Sequence, residues 1–137
     1  MELNDMILIS VDDHVIEPPD LFKNHLPASM QDKAPKMATM RSGSDSWIFE
    51  DRTVPNFGLN AVVGRPLEEY GMEPASYSQI RKGTYSLKER VEDMNVNGVL
   101  ASICFPTFPT FGGAFFLQAK DKELTPHVVS AYHDWHI

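Results

Sequence analysis

The segment with the clearest capacity for chemistry is Asp12-Asp13-His14. It closes the run Met6-Ile-Leu-Ile-Ser-Val11, which is apolar and carries no polar alternation. Such a run is expected of a strand, here over about residues 6–11, covered on both faces in a parallel sheet. Side chains alternate along a strand, so Asp12 and His14 are expected on one side and Asp13 on the other. A carboxylate and an imidazole two residues apart, where a strand enters a loop, can hold one divalent cation from the same side. An oxygen–nitrogen pair of this kind suits Zn²⁺, Mn²⁺ or Fe²⁺. The spacing is a common one, and its plain alternative is a solvated loop carboxylate beside a turn histidine.

The elements that must position this segment are read from the rest of the chain. Glu17-Pro18-Pro19-Asp20 stops strand and helix alike, and Asp20 to Leu26 can form a short helical turn before Pro27. Residues 27–85 read as a long irregular insert, with a small hairpin in which Ser46–Phe49 and Arg52–Val54 flank Glu50-Asp51. Its aromatic residues Trp47, Phe49, Phe57, Tyr70 and Tyr77 point to an ordered excursion that packs on something. Ser86 with Glu89 is a capping-box signature for a helix over about 87–97, stopped by Asn97-Gly98. A second buried-type strand comes next, at about 99–105, and ends at Pro106. Thr125-Pro126 then reads as N-cap and first position of a helix over about 126–136, with Val128, Ala131, Tyr132 and Trp135 on one face. The order is strand, insert, helix, strand, loop, helix, the start of an alternating β/α architecture.

Composition narrows the function. Of 137 residues, 12 are Lys or Arg and 19 Asp or Glu, a net charge of −7, which argues against a nucleic-acid groove or an anionic membrane surface. The one cysteine, Cys104, allows no internal disulfide and fits a reducing compartment. It reads as a small buried hydrophobe. The first residues lack a basic region, so no signal peptide is expected, and no apolar run nears the ~20 residues of a membrane span. A cytoplasmic protein is the expectation.

The stretch Ile9-Ser-Val-Asp-Asp-His-Val-Ile-Glu-Pro-Pro-Asp-Leu-Phe22 resembles the opening of the amidohydrolase superfamily, in its amidohydrolase-related, aminocarboxymuconate-semialdehyde-decarboxylase-like branch. Arg90-Val-Glu-Asp-Met-Asn-Val-Asn-Gly-Val-Leu-Ala-Ser-Ile-Cys-Phe-Pro-Thr107 looks like that family's first helix, glycine stop and second strand. Ala131-Tyr-His-Asp-Trp135 looks like its second helix, with His133 where the family has asparagine. The insert matches only loosely.

The resemblance implies an α/β fold, the amino-terminal part of a (β/α)₈ barrel with a long insert after strand 1. It implies a metal-dependent hydrolase or non-oxidative decarboxylase acting on a small, cyclic or carboxylated molecule. Asp12 and His14 would be the first two ligands of a divalent metal, Zn²⁺ first and Mn²⁺ second, with Asp12 departing from the commoner histidine. The family's further histidines and its catalytic aspartate would lie beyond residue 137.

Glu17 is a candidate to orient the second ligand or face substrate, against the plainer reading of a salt bridge or a solvated side chain. Thr107 and Phe108, in the aromatic loop after the second strand, are candidates to line the substrate pocket, against the plainer reading of packing on the following helix. His25 and His127 read as surface residues, and His133 with His136 as a frayed helix end rather than a ligand pair.

A barrel takes about 250 residues, so the expected content here is two strand–helix units. The rival readings are a catalytically incompetent fragment that acts at most as an interaction partner, and a small self-sufficient α/β binding domain. The complete enzyme is expected to take a small-molecule substrate and to be open to homo-oligomer formation.

Overall fold

A computed structural model describes residues 5–54, 58, 61–70 and 76–137. Two strands, β1 (Leu8–His14) and β5 (Val99–Phe105), pair in parallel as a two-stranded sheet. The strand expected at 6–11 therefore starts later and runs on through Asp12-Asp13-His14. Pairing with β5 continues to His14 opposite Phe105, and the Val15 amide still donates to the Phe105 carbonyl at 3.0 Å. The ladder is not regular. Ser10 faces Ser102 and Asp13 faces Cys104, so Val11 and Asp12 together oppose Ile103 as a bulge in β1.

Helix α2 (Leu87–Val96) joins the two strands. Its start is where the capping signature puts it, but the Ser86 hydroxyl donates to the Glu89 carboxylate rather than capping a backbone amide. Its stop is Gly98, at φ 68°, which only a residue without Cβ adopts at little cost.

The insert is more structured than its composition implies. After α1 (Leu21–His25), the strands β2 (Lys36–Thr39), β3 (Asp45–Phe49) and β4 (Arg52–Val54) form an antiparallel sheet in the order β2-β3-β4. The expected hairpin is β3–β4, turning through Glu50 at φ 55°. Its carboxylate accepts the Lys120 amide at 2.8 Å and the Asp121 amide at 2.9 Å, which ties the hairpin tip to the approach of α4 (Leu124–His136). That helix starts before Thr125-Pro126, because the Asp121 carboxylate accepts the amides of Glu123 and Leu124.

The hydrophobic core lies between the insert, α1, α4 and the loop after β5. Trp47 of β3 is fully buried, stacked on Phe108 at 4.8 Å and met edge-on by Phe22 of α1 at 5.6 Å. Phe49, Leu21, Val128 and Tyr132 complete its centre. Tyr70 is exposed, and Phe57 lies outside the described residues.

The two parallel strands stand apart from this core. Val11 is 66% exposed and Leu100 69%, and Leu8, Ile9 and Ile103 are exposed as well. The expectation that both strands are covered on both faces is not met within these residues. The layers that a parallel sheet needs are not supplied by α2 and the insert alone. Among the described residues no helix is long and apolar enough to cross a membrane.

Candidate functional site

The carboxyl ends of β1 and β5 open onto a cleft of about 940 Å³. Asp12 and His14 line it, and Asp13 does not, as strand alternation requires. Phe105 and Pro106, where β5 ends, form one wall, with the His14 ring 6.1 Å from that of Phe105. Phe111 and Phe116, from the loop and α3 (Ala114–Leu117), form another. From α4 come Val129, Tyr132, His133 and His136. The surface is largely apolar with imidazoles and one carboxylate at its edges, suited to holding a small apolar or ring-bearing molecule with one polar group.

Asp13 works on the opposite side of β1. Its carboxylate accepts the Ser102 hydroxyl of β5 and the Arg90 guanidinium of α2, the latter at 3.1 Å. Arg90 also donates to the Ser102 hydroxyl at 3.3 Å and to the His14 carbonyl at 3.4 Å.

Glu17 is not solvated, and it makes no salt bridge among the described residues. It is 0% exposed, and its two carboxylate oxygens accept the Thr107 and Phe108 amides at 2.9 Å each. The Tyr132 hydroxyl adds a third bond at 3.0 Å. The Tyr77 hydroxyl donates to the Glu17 backbone carbonyl. Burial pushes the Glu17 carboxyl above the ordinary range, against the opposing pull of these donors. The Tyr77 and Tyr132 phenols are also raised, first by burial and then by the neighbouring Glu17 charge.

Glu17, Thr107 and Phe108 therefore stand behind the cleft rather than in it. Thr107 spends its amide on Glu17 and its hydroxyl on the Val15 carbonyl at 2.8 Å, while Phe108 belongs to the core. Together they pin the loop whose Pro106, Pro109 and Phe111 face the cleft. That loop passes through Thr110 at φ 60° and ψ −178°, a conformation that favours glycine.

Two further expectations are corrected. Cys104 is half-buried and lines the cleft rather than a sealed core. His133 and His136 are exposed helix-end residues, as expected, but they rim the same cleft as Asp12 and His14. Their three-residue helical spacing is the available signal; that α4 folds back over the ends of the strands is not readable locally. His25 and His127 are exposed.

Asp12 and His14, a carboxylate and an imidazole on one cleft, could supply at most two ligands to a divalent cation. Among the described residues no three His, Cys, Asp or Glu side chains come together closely enough to hold a metal ion. A cation at this point needs additional ligands from water, substrate or other polypeptide.

No family model and no curated protein matches this sequence. The structure is similar to that of an amidohydrolase from Mycobacterium avium subsp. paratuberculosis, with a TM-score of 0.59 and 22% sequence identity. The match covers 96% of this chain and 38% of that one, so the chain spans well under half the length of the protein it resembles. What the two share is the fold, an α/β arrangement built on a parallel sheet.

Proposed function

We propose that the chain is the amino-terminal portion of a metal-dependent (β/α)₈-barrel enzyme of the amidohydrolase-related type. Its reaction would be hydrolysis or non-oxidative decarboxylation of a small cyclic or carboxylated molecule. The observation that carries this reading is the joint placement of Asp12 and His14 on one cleft at the carboxyl end of a parallel strand. That is the face on which barrels of this type do their chemistry. The fold shared with part of an amidohydrolase supports it.

In this reading an Asp12 carboxylate oxygen and a His14 imidazole nitrogen would hold a divalent metal, Zn²⁺ or Mn²⁺. Such a metal, when bound, acidifies a water or polarises a substrate oxygen. The chain's own residues do the rest. Phe105 on one wall and Phe111 and Phe116 on another would give the molecule held there apolar contacts, and His133 and His136 would offer hydrogen bonds at the rim. Equilibrium dialysis of the 137-residue chain against Zn²⁺ or Mn²⁺ tests the site. The expected result is binding that is lost in Asp12→Ala and in His14→Ala. Binding unchanged in both variants sinks the assignment.

A second reading has its own observation. The exposed apolar residues of β1 and β5 leave the sheet without the neighbours a barrel needs. On that basis the chain alone is catalytically incompetent and acts only when joined to the polypeptide that supplies the missing ligands and strands. Metal bound by the isolated chain without turnover of any carboxylated ring substrate separates this reading from the first.

A further inference from the structure

We infer that Arg90 is a positioning residue for the Asp12–His14 pair, a role that rests on the proposed metal site. The bulge at Val11-Asp12 interrupts the ladder next to the two side chains that must point together. Bulges re-aim side chains, and the extra residue of a bulge has no ladder partner to fix its direction. Pairing resumes only at Asp13 and His14, so the direction of the backbone leaving the bulge depends on what holds those two residues.

The Arg90 guanidinium holds both. One nitrogen reaches both the Asp13 carboxylate and the Ser102 hydroxyl, and the other reaches the His14 carbonyl. Ser102 in turn donates to Asp13. The residue between the two candidate ligands is thus tied to α2 and to β5, and the backbone of the second ligand is held directly. Asp13 faces away from the cleft, so the device acts on Asp12 and His14 through the strand backbone and not through either ligand side chain. Arg90 is suited to this because its planar fork can address several acceptors at once, which a lysine ammonium does less well. It is also only partly exposed, with 19% of its side chain accessible, which limits competition from water.

The test is a Mn²⁺ titration of the full 137-residue chain, read by paramagnetic broadening of the His14 ring resonances, with the melting temperature of each metal-free variant recorded. Arg90→Met is expected to need about tenfold more Mn²⁺ for half-maximal broadening, the lower end of the range for groups that orient ligands. Arg90→Lys should recover part of that loss. Arg81→Met, which removes the other ion pair to α2 (Arg81 with Asp93), should titrate like the wild type. Arg90→Met titrating like the wild type overturns the inference. Should Arg90→Met fail to fold, Ser102→Ala removes one leg of the network and is read the same way, with a smaller expected shift.

A wild-type chain that shows no broadening at millimolar Mn²⁺ defeats the metal reading alone. The positioning role is then decided by hydrogen exchange at the Val15 amide, which closes the end of β1 on Phe105. Exchange roughly tenfold faster in Arg90→Met upholds it, and unchanged protection overturns it.

Discussion

The insert and the parallel sheet divide the molecule into two regions with opposite relations to solvent. Around Trp47, Phe22, Phe108 and Val128, side chains from α1, β3, the loop after β5 and α4 interlock and are almost wholly buried. Around β1, β5 and α2, residues of the same apolar character, such as Val11, Leu100, Ile103 and Val96, face outward. The difference lies in what each region meets and not in its composition. The insert folds back on α1, α4 and the loop after β5 and closes a core with them, whereas two parallel strands offer two unpaired edges and two faces that one helix cannot cover. The cleft sits on the seam between them. Asp12 and His14 come from the open region, and the loop and α4 that face them are held by the closed one.

The largest effect that can break this contrast is truncation in the closed region. Trp47→Ala removes a fully buried ring stacked at 4.8 Å on Phe108 and should cost about 3–5 kcal/mol, a large share of the stability of a domain this size. Urea denaturation measures it. A cost as small as that of an exposed substitution would show that the core around the insert is not what holds the fold.

Glu17 comes next. Glu17→Ala leaves the Thr107 and Phe108 amides and the Tyr132 hydroxyl without their common acceptor, at a cost of roughly 2–3 kcal/mol. The same carboxylate predicts a pH dependence. Burial raises its pKa above the ordinary 4.5, so between the two values the folded chain binds more protons than the unfolded one. Its contribution to stability is therefore fullest below 4.5 and falls as pH rises through the raised value. The difference in unfolding free energy between wild type and Glu17→Gln, measured from about pH 4 upward, should decline with pH. A difference that grows with pH reverses the sign and refutes the burial argument.

How far the molecule can be read from its residues obeys the same division. The open region is legible because its signals are local: an apolar run before Asp12-Asp13-His14, a capping pair before α2, and glycine at a position that needs positive φ. The expected end of β1 falls too early, since Asp12 and Asp13 have low strand propensity, and it is the pairing of Asp13 with Cys104 and of His14 with Phe105 that carries the strand on past them. The closed region is opaque because its order is made by distant contacts. Glu17 reads as a surface carboxylate until Thr107, Phe108 and Tyr132, some 90 to 115 positions away, are brought to it. The hairpin tip at Glu50 is anchored by Lys120 and Asp121, and nothing near Glu50 announces that partnership. Asp12 and His14 are found from spacing, whereas His133 and His136 at the same cleft need the path of α4.

A smaller effect probes the seam itself. Thr110 holds φ 60° with ψ −178°, a region that costs a residue with Cβ of order 1–3 kcal/mol and glycine little. Thr110→Gly trades that strain for the larger entropy glycine loses on folding, roughly 0.5–1 kcal/mol. The expected balance is a gain of about 1 kcal/mol in thermal or urea unfolding, with the loop still fastened through Thr107 and Phe108. A loss of stability would mean that the Thr110 side chain contributes more to the loop than its backbone costs.

The smallest change in stability belongs to the open region, where the contrast is sharpest. Leu100→Lys and Ile103→Lys replace exposed apolar side chains, so each should alter the unfolding free energy of the monomer by no more than about 0.5 kcal/mol. Their effect on association should be large by comparison. Unpaired strand edges flanked by exposed Leu8, Ile9 and Val11 are a template for further strands. The wild-type chain should therefore grow in apparent mass with concentration in sedimentation or light scattering, and the double lysine variant should stay closer to 15.4 kDa. If the wild type is monomeric throughout, the exposed sheet is tolerated as it stands. If the lysines instead unfold the chain, these strands are buried in solution by a contact that the isolated molecule does not contain.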